Sequence, residues 1–178
     1  MTAAEKCNIV LIGFMGSGKT VIGRQAARLL NFDFADTDDE ITQVTGLTLP
    51  QLFRKHGEIR FRSEERLVIQ KLARRERMVI ACGGSLLPAR ENLGLLLERG
   101  WFVLLTADPE IIKSRISRKN DRLLVGGKPT AEGIAAIMAE RESQYAQLTD
   151  FVIDSGRLNV EEAAEAIVTQ YRASQGKS

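Results

Sequence analysis

Residues 8–30 read NIVLIGFMGSGKTVIGRQAARLL, and this stretch decides the fold. Residues 8–12 are a short run, apolar after Asn8, of the length expected for a strand that is buried on both faces of a sheet. Residues 19–30 carry apolar side chains at helical spacing, with Arg24 and Arg28 off that face. A glycine-rich connection joins the two segments, so the stretch predicts a strand, a loop and a helix in succession.

The glycine-rich connection runs from Gly13 to Thr20 and fits the pattern G-x-x-x-x-G-K-[ST]. Glycines let successive backbone N–H groups turn toward an anion, and the helix that follows adds free N–H groups and a positive dipole end. Lys19 is expected to reach the β- and γ-phosphates, and the Thr20 hydroxyl to bind Mg2+. The pattern therefore predicts a nucleoside-triphosphate site, with ATP as the nucleotide.

Contacts to the nucleotide are expected from a continuous set of residues: Gly16, Ser17, Gly18, Lys19, Thr20 and Val21. Val21 stands where a dinucleotide fingerprint would require its third glycine, which excludes that motif. A GTPase would carry an Asn-Lys-x-Asp segment, which the chain lacks, and a motor domain is usually longer. The small size of the chain favours a small-molecule kinase.

The rest of the chain alternates between strand-length apolar runs and helical patterns. Further strands are predicted at 32–35, 78–82, 101–105 and 151–153, and helices at 59–76, 89–98, 131–147 and 160–173, with another beginning at Pro109. This alternation predicts an α/β fold in which a parallel sheet is covered by helices on both faces. We expect a single domain over residues 1–178.

Composition narrows the class of protein. The net charge is only +2 over 178 residues, and basic residues are spread along the chain, which disfavours a nucleic-acid partner. The two cysteines, Cys7 and Cys82, are far apart and form no metal-binding pair. No apolar run is long enough to span a membrane, and residues 1–8 lack a signal-peptide pattern. We expect a cytoplasmic monomer with small-molecule substrates.

Two carboxylates follow the second predicted strand, in the segment Asp36-Thr-Asp38. Ligands of parallel sheets bind at the carboxyl ends of the strands, so both side chains are candidates for chemistry. Asp36 is expected to hold Mg2+ through water, and Asp38 to accept the proton of an attacking hydroxyl. The alternative is a solvated loop that caps the next helix.

Three weaker features suggest a site for an anionic acceptor. Arg62 and Glu65 share a helix face, so Glu65 could orient a guanidinium that binds a carboxylate, although a surface ion pair would look the same. Gly83-Gly84 directly follows a predicted strand and permits close backbone approach to a ligand, as would an ordinary turn. Residues 117–130 lack an apolar period, and residues 113–128 carry six basic side chains against the single acid Asp121, which suits a lid over the triphosphate or a solvated helix end.

In order and spacing, these segments resemble the shikimate kinases of the nucleoside-monophosphate-kinase-like P-loop group. The resemblance covers residues 8–172 and rests on the phosphate loop, on Asp36-Thr-Asp38 and on the following further matches: Phe53, Gly57-Glu58, Phe61-Arg62 with Glu65, Gly83-Gly84, Arg122-Leu-Leu, and Glu140-Arg141 with Tyr145. It implies a three-layer fold with a five-stranded parallel sheet, a substrate-binding region near 33–62 and a mobile lid near 113–130.

The resemblance also implies roles for individual residues. On the acceptor side, Asp38 would bind ring hydroxyls of shikimate, Gly83 or Gly84 would donate a backbone N–H, and four side chains would hold the carboxylate or line the ring pocket: Arg62, Arg141, Phe53 and Phe61. On the nucleotide side, Arg122 would contact the phosphates and act in catalysis with Lys19 and Asp38, Arg115 would stack near adenine, and Arg157 would lie near it.

The chain departs from the family pattern at two positions. Cys82 stands where the family usually has the first of three glycines, and Leu123 stands where a proline usually follows the lid arginine. A kinase of another hydroxy acid such as gluconate, or a nucleotide-binding module without phosphoryl transfer, therefore remains an alternative. Turnover with each acceptor would distinguish them.

Overall fold

The computed structural model describes residues 6–83, 93–119 and 130–176. Within them lies one sheet of five strands: β1 (Asn8–Ile12), β2 (Asp33–Asp36), β3 (Met78–Ala81), β4 (Gly100–Thr106) and β5 (Phe151–Asp154). All neighbouring strands are parallel, in the order β2-β3-β1-β4-β5. The predicted α/β class and five-stranded parallel sheet are confirmed, with strand ends within a residue or two of those predicted.

Helices connect the strands: α1 (Lys19–Leu30), α2 (Thr37–Thr45), α3 (Leu49–Ala73), α4 (Gly94–Arg99), α5 (Pro109–Lys119), α6 (Ala131–Ala146) and α7 (Val160–Gln175). The sequence predicted neither α2 nor the first half of α3. The helical path of α3 is broken at Gly57, whose φ of 75° and ψ of −179° are not helical. The predicted helix from residue 59 is the segment that follows this break.

Each face of the sheet packs against its own layer. Along β1, Ile9 and Leu11 face the cluster formed with α1 and α7, whereas Val10 and Ile12 face the cluster formed with α3 and α4. Every residue of β1 is buried, because helices cover both faces. Among the described residues, no helix combines the length and apolar character needed to cross a membrane.

The carboxyl ends of the strands bring the candidate site residues together. Because all five strands are parallel, the segments that follow them meet at one edge of the sheet. The phosphate loop follows β1, Asp36 ends β2, Cys82 and Gly83 follow β3, and Ser155 follows β5. The fold thus gathers residues that are distant in sequence along a single crevice.

Candidate active site

The phosphate loop depends on glycine at its turns. Gly13, Gly16 and Gly18 have φ values of 141°, 77° and 93°, a region that other residues rarely adopt. At Gly13, a Cβ would lie 2.4 Å from the Leu105 carbonyl oxygen of β4. The loop therefore lies too close to the sheet to accept a side chain there.

Lys19 bridges the loop from the start of α1. Its ammonium donates hydrogen bonds to the carbonyl oxygens of Gly13, at 2.8 Å, and Phe14, at 3.0 Å. Burial lowers the pKa of Lys19, and the negative charges of Asp38 and Asp36 oppose that shift. An ammonium has three donors, so a third remains for a phosphate oxygen.

Thr20 and Asp36 form an oxygen pair beside Lys19. The Thr20 hydroxyl donates to Asp36 Oδ2 at 2.7 Å, and Asp36 Oδ1 accepts the Asp38 backbone N–H at 3.1 Å. Hydroxyl and carboxylate oxygens are ligands that suit Mg2+, which usually completes its shell with water and substrate phosphates. The described residues hold no group of three or more carboxylate, imidazole or thiol ligands.

Asp38 lies in the first turn of α2, for which Asp36 is the N-cap. Burial and the neighbouring carboxylate of Asp36 raise the pKa of Asp38 to about 7, while Lys19 opposes the shift. A carboxyl with this pKa gains and loses a proton near neutral pH, as a general base does. Asp36 caps α2 and Asp38 lies in its first turn, and their separate roles at the metal and at the hydroxyl stay a prediction.

Gly83 leaves room for the Asp38 carboxylate. A Cβ at Gly83 would lie 2.0 Å from Asp38 Oδ1, so any side chain here would displace the carboxylate. The Gly83 N–H donates to the Thr37 hydroxyl at 2.8 Å, so it already has a partner within the protein. The alternative backbone donor, Gly84, lies outside the described residues.

Cys82 follows β3 and is buried near Lys19, Asp36 and Asp38. Its side chain is 2% exposed, and burial raises the pKa of the thiol. Lys19 and Asp36 are among its charged neighbours. The residue that departs from the family pattern is therefore a neutral, small side chain in the cleft wall.

Arg62 is held in place by acidic residues of α3. Its Nη1 donates to Glu65 at 2.9 Å, and Glu58 lies 3.4 Å from its Nη2. Glu65 is buried and also contributes to the raised pKa of Asp38, which places this pair next to the catalytic carboxyl. The predicted Arg62–Glu65 pair is present.

The two expected pocket phenylalanines have different positions. Phe53 and Phe61 stack with ring centroids 4.4 Å apart. Phe61 is fully buried, whereas Phe53 is only partly buried. Phe61 therefore supports the wall from within the core, and Phe53 is the ring with accessible surface.

Arg141 approaches the phosphate loop from α6. Its guanidinium carbon lies 5.7 Å from the centre of the Phe14 ring, a cation–π distance. Its charge also contributes to the lowered pKa of Lys19. Arg141 thus lies at the junction between the phosphate site and the acceptor side, far in sequence from Arg62.

A cleft of about 670 Å³ runs along the phosphate loop, Asp36, Asp38 and Gly83, and its lining does not include Arg62, Arg141, Phe53 or Phe61. Many of the predicted residues line it, namely Gly16, Gly18, Lys19, Thr20, Val21, Asp36, Asp38, Gly83 and Arg115. Arg157 is not brought to the cleft: its side chain is 87% exposed and pairs with Asp154 at 3.1 Å. The proposed lid arginine, Arg122, lies outside the described residues.

Sequence reasoning missed three residues of the site. Thr37 was passed over between two aspartates, although its buried hydroxyl holds Gly83. Phe14 was treated as a variable position of the loop, and Ser155 carries no local pattern that would single it out. Their roles come from contacts between segments, which no single stretch of sequence displays.

Comparisons with known proteins agree on one family. The family model named "SKI: Shikimate kinase" matches residues 15–172. A shikimate kinase of Pelotomaculum thermopropionicum is 46% identical over 161 residues, covering 90% of this chain and 93% of that protein. One from Caldanaerobacter subterraneus subsp. tengcongensis is 37% identical over 170 residues, covering 96% and 99%.

A solved structure is also similar along nearly its whole length. Shikimate kinase from Acinetobacter baumannii, in complex with shikimate, has a TM-score of 0.87 and 32% identity, with 94% of each chain covered. The matched region spans the cleft from the phosphate loop to α7.

Proposed function

Because the chain belongs to the shikimate kinase family, we propose that it transfers the γ-phosphate of ATP to a hydroxyl of shikimate, giving shikimate 3-phosphate and ADP. One observation carries this proposal. The phosphate-binding Lys19 and the carboxyl of Asp38 line the same cleft and influence each other's pKa. A phosphate donor and an acceptor hydroxyl would therefore meet between them.

The nucleotide side of the cleft binds and orients the triphosphate. The loop N–H groups and the start of α1 face the anion, and Lys19 adds a positive charge. Thr20 and Asp36 are the residues that would hold Mg2+, which neutralises phosphate charge when bound. Arg115 lines the same side and supports the adenine end of the site.

The acceptor side fixes shikimate by its carboxylate. Arg62, oriented by Glu65, and Arg141, oriented against Phe14, present guanidinium groups that suit a carboxylate. Holding the carboxylate determines which ring hydroxyl faces the γ-phosphate, and such positioning is the larger part of catalysis for phosphoryl transfer.

Asp38 acts on the hydroxyl that attacks. In its ionised form it accepts a hydrogen bond from the hydroxyl, orients the oxygen toward phosphorus and receives the proton as the new P–O bond forms. The bond from the γ-phosphorus to the bridging oxygen breaks, and ADP leaves with that oxygen. We further propose that Arg122 contacts the phosphates, as the family resemblance implies; most of the expected lid, residues 120–129, lies outside the described residues.

Replacing Arg62 tests the carboxylate assignment. Arg62→Ala should raise the KM for shikimate by about 10- to 100-fold, the usual loss for a hydrogen bond between charged groups, and change the KM for ATP far less. Steady-state kinetics with each substrate varied in turn would measure the two effects separately. Lys19→Ala should abolish turnover at any acceptor concentration.

Arg66→Ala is the matched control, because Arg66 is exposed on the same helix. It should leave both KM values unchanged. An unchanged KM for shikimate in Arg62→Ala, or equal increases for both substrates, would contradict the assignment of Arg62 to the acceptor.

A further inference from the structure

A buried polar network lies behind the phosphate loop and ties it to two other segments. Ser155, in the turn after β5, is 1% exposed and contacts the loop backbone. Arg115, on α5, contacts both Ser155 and the loop. We call these two residues and their contacts the Ser155–Arg115 network. None of its links to the loop involves a side chain of the loop itself.

The Ser155 hydroxyl is directed at the backbone of the loop. It lies 2.7 Å from the Ser17 carbonyl oxygen and 3.0 Å from that of Thr106. The Thr106 carbonyl already accepts the Ser155 backbone N–H at 2.8 Å. A hydroxyl has a single proton, so the closer and otherwise less engaged Ser17 carbonyl is its acceptor.

Arg115 holds the neighbouring peptide of the loop. Its Nη1 donates to the Gly16 carbonyl oxygen at 3.2 Å and to Ser155 Oγ at 3.3 Å. Its Nη2 donates to the Ser155 carbonyl oxygen at 2.8 Å. Two consecutive carbonyls of the loop, those of Gly16 and Ser17, are therefore bonded to the same network.

Fixing a carbonyl also fixes the N–H that follows it. In a trans peptide the C=O and the next N–H point in opposite directions. The Ser17 carbonyl points toward buried Ser155, so the Gly18 N–H points the other way, and Gly18 lines the cleft. The network thus orients a backbone donor for phosphate without contacting the phosphate.

We propose that Ser155 is a positioning residue for the triphosphate, acting through the Ser17 carbonyl; this rests on the ATP-binding part of the proposed function. The chain contains Ser17 in the loop, but its side chain has no hydrogen-bond partner among the described residues. The loop is therefore held at this point by its backbone, and Ser155 supplies the hydroxyl that holds it.

Binding of MgATP in the absence of acceptor tests this inference directly. Isothermal calorimetry on the full chain should show about tenfold weaker MgATP binding for Ser155→Ala, the loss expected for one buried hydrogen bond. Ser155→Thr, which keeps the hydroxyl, should bind like the wild type. In steady-state kinetics, the KM for ATP should rise in Ser155→Ala while the KM for shikimate stays within twofold.

Two further variants separate positioning from general stability. Ser174→Ala removes a hydroxyl that donates to the Tyr171 carbonyl at 2.7 Å near the end of α7, and should not change MgATP binding. Ser155→Cys keeps nearly the same shape with a weaker donor, and should still weaken binding several-fold if Ser155→Ala does not fold.

Unchanged MgATP binding in Ser155→Ala or Ser155→Cys would overturn the inference, as would equal losses in Ser155→Ala and Ser155→Thr. The binding measurement contains no acceptor, so its result does not depend on which acceptor the enzyme uses. If Ser155→Ala weakens MgATP binding but the wild type does not phosphorylate shikimate, the proposed function is wrong and this inference still holds.

Discussion

At the scale of single residues, the cleft places an acidic group where its charge is unfavourable. Asp38 is surrounded by the carboxylates of Asp36 and Glu65, and its burial outweighs the favourable charge of Lys19. A Cβ at Gly83 would lie 2.0 Å from Asp38 Oδ1, so glycine at this position leaves room for the carboxylate. The site thus accepts an energetic cost at Asp38, a feature common at functional sites.

The pH dependence of turnover should follow this carboxyl. Because the pKa of Asp38 is raised to about 7, the ionised form that accepts a proton increases as pH rises through 7. We expect the kcat/KM for shikimate to increase from pH 6 to pH 8 in the wild type. Asp38→Asn should lower kcat by about 10²- to 10⁴-fold and remove that rise.

The same substitution should make the folded chain more stable at high pH. The folded protein binds the Asp38 proton more tightly than the unfolded chain does, so wild-type stability falls as pH rises from about 4 to 7. Asp38→Asn has no carboxyl at this position, so its folding stability does not fall for this reason as pH rises. Its Tm should exceed that of the wild type by a few degrees at pH 8, with a smaller difference at pH 5.

Glu165→Gln is the control for both measurements. Glu165 is exposed on α7 and is not among the charges that shift the pKa of Asp38, so its replacement should leave the pH profile and Tm nearly unchanged. A flat wild-type pH profile, or an Asp38→Asn variant that is less stable at pH 8 than at pH 5 relative to wild type, would refute this description of Asp38.

The sequence predicted site residues best where chemistry is encoded in a local pattern. Lys19 and Thr20 follow from the spacing of the glycine-rich loop, and Asp36 and Asp38 from their place after a strand. Ser155 and Thr37 act through contacts to distant segments, and Arg157, predicted near adenine, is exposed and pairs with Asp154 in a turn whose neighbouring residues line the cleft. Such contacts depend on how the strands are ordered, which the local pattern does not contain.

At the scale of elements, α1 packs unusually closely against the sheet. A Cβ at Gly23 would lie 2.7 Å from the Phe34 ring and 2.8 Å from Leu11. Gly23 is buried within the helix, where glycine normally costs about 1 kcal/mol relative to alanine. The close approach of α1 to β1 and β2 offsets that cost and holds the phosphate loop, which precedes α1, near the strand ends.

Gly23→Ala should therefore destabilise the protein, against the helix preference. We expect the free energy of unfolding to fall by about 1–3 kcal/mol, as for other overpacked cores. Denaturant unfolding would measure this. Gly94→Ala is the matched control, because a Cβ there meets no described atom within 4 Å and the variant should stay within about 1 kcal/mol of wild type. A Gly23→Ala protein more stable than wild type would contradict the packing described for α1.

Elements were predicted reliably where apolar periodicity was strong. Residues 19–30 were predicted as a helix and form α1 over the same span. By contrast, α2 carries three acidic residues in its first turn and has only Thr37 and Ile41 buried, so it lacks an apolar stripe. The first part of α3 ends at Gly57, where the backbone is not helical. The helical pattern is interrupted there, so the sequence predicted only the segment that follows the break.

At the scale of the whole molecule, the parallel sheet explains why two substrates would meet. Its strand ends collect the phosphate loop, the Asp36–Asp38 segment and Gly83 along one edge. Arg62 on α3 pairs with Glu65, which influences the pKa of Asp38, and Arg141 on α6 contacts Phe14 of the phosphate loop. Phe14, which lies in the phosphate loop and contacts Arg141, links the nucleotide side to the acceptor side.

The side chain of Cys82 in the cleft wall bears on which acceptor the cleft can bind. Cys82 is a small, neutral side chain in the cleft wall, so the departure from the family's usual glycine adds no charge near Asp38. We therefore expect the acceptor to be shikimate, as in the family to which the chain belongs.

The most direct test of the central claim is to identify the product formed from MgATP with shikimate, with gluconate and with no acceptor. ADP release and phosphorus NMR would be followed in the same reactions. We predict strong stimulation by shikimate alone and a single phosphomonoester, shikimate 3-phosphate, formed in equal amount to ADP. Release of inorganic phosphate without a phosphorylated acceptor, or stimulation by gluconate and not by shikimate, would contradict the account.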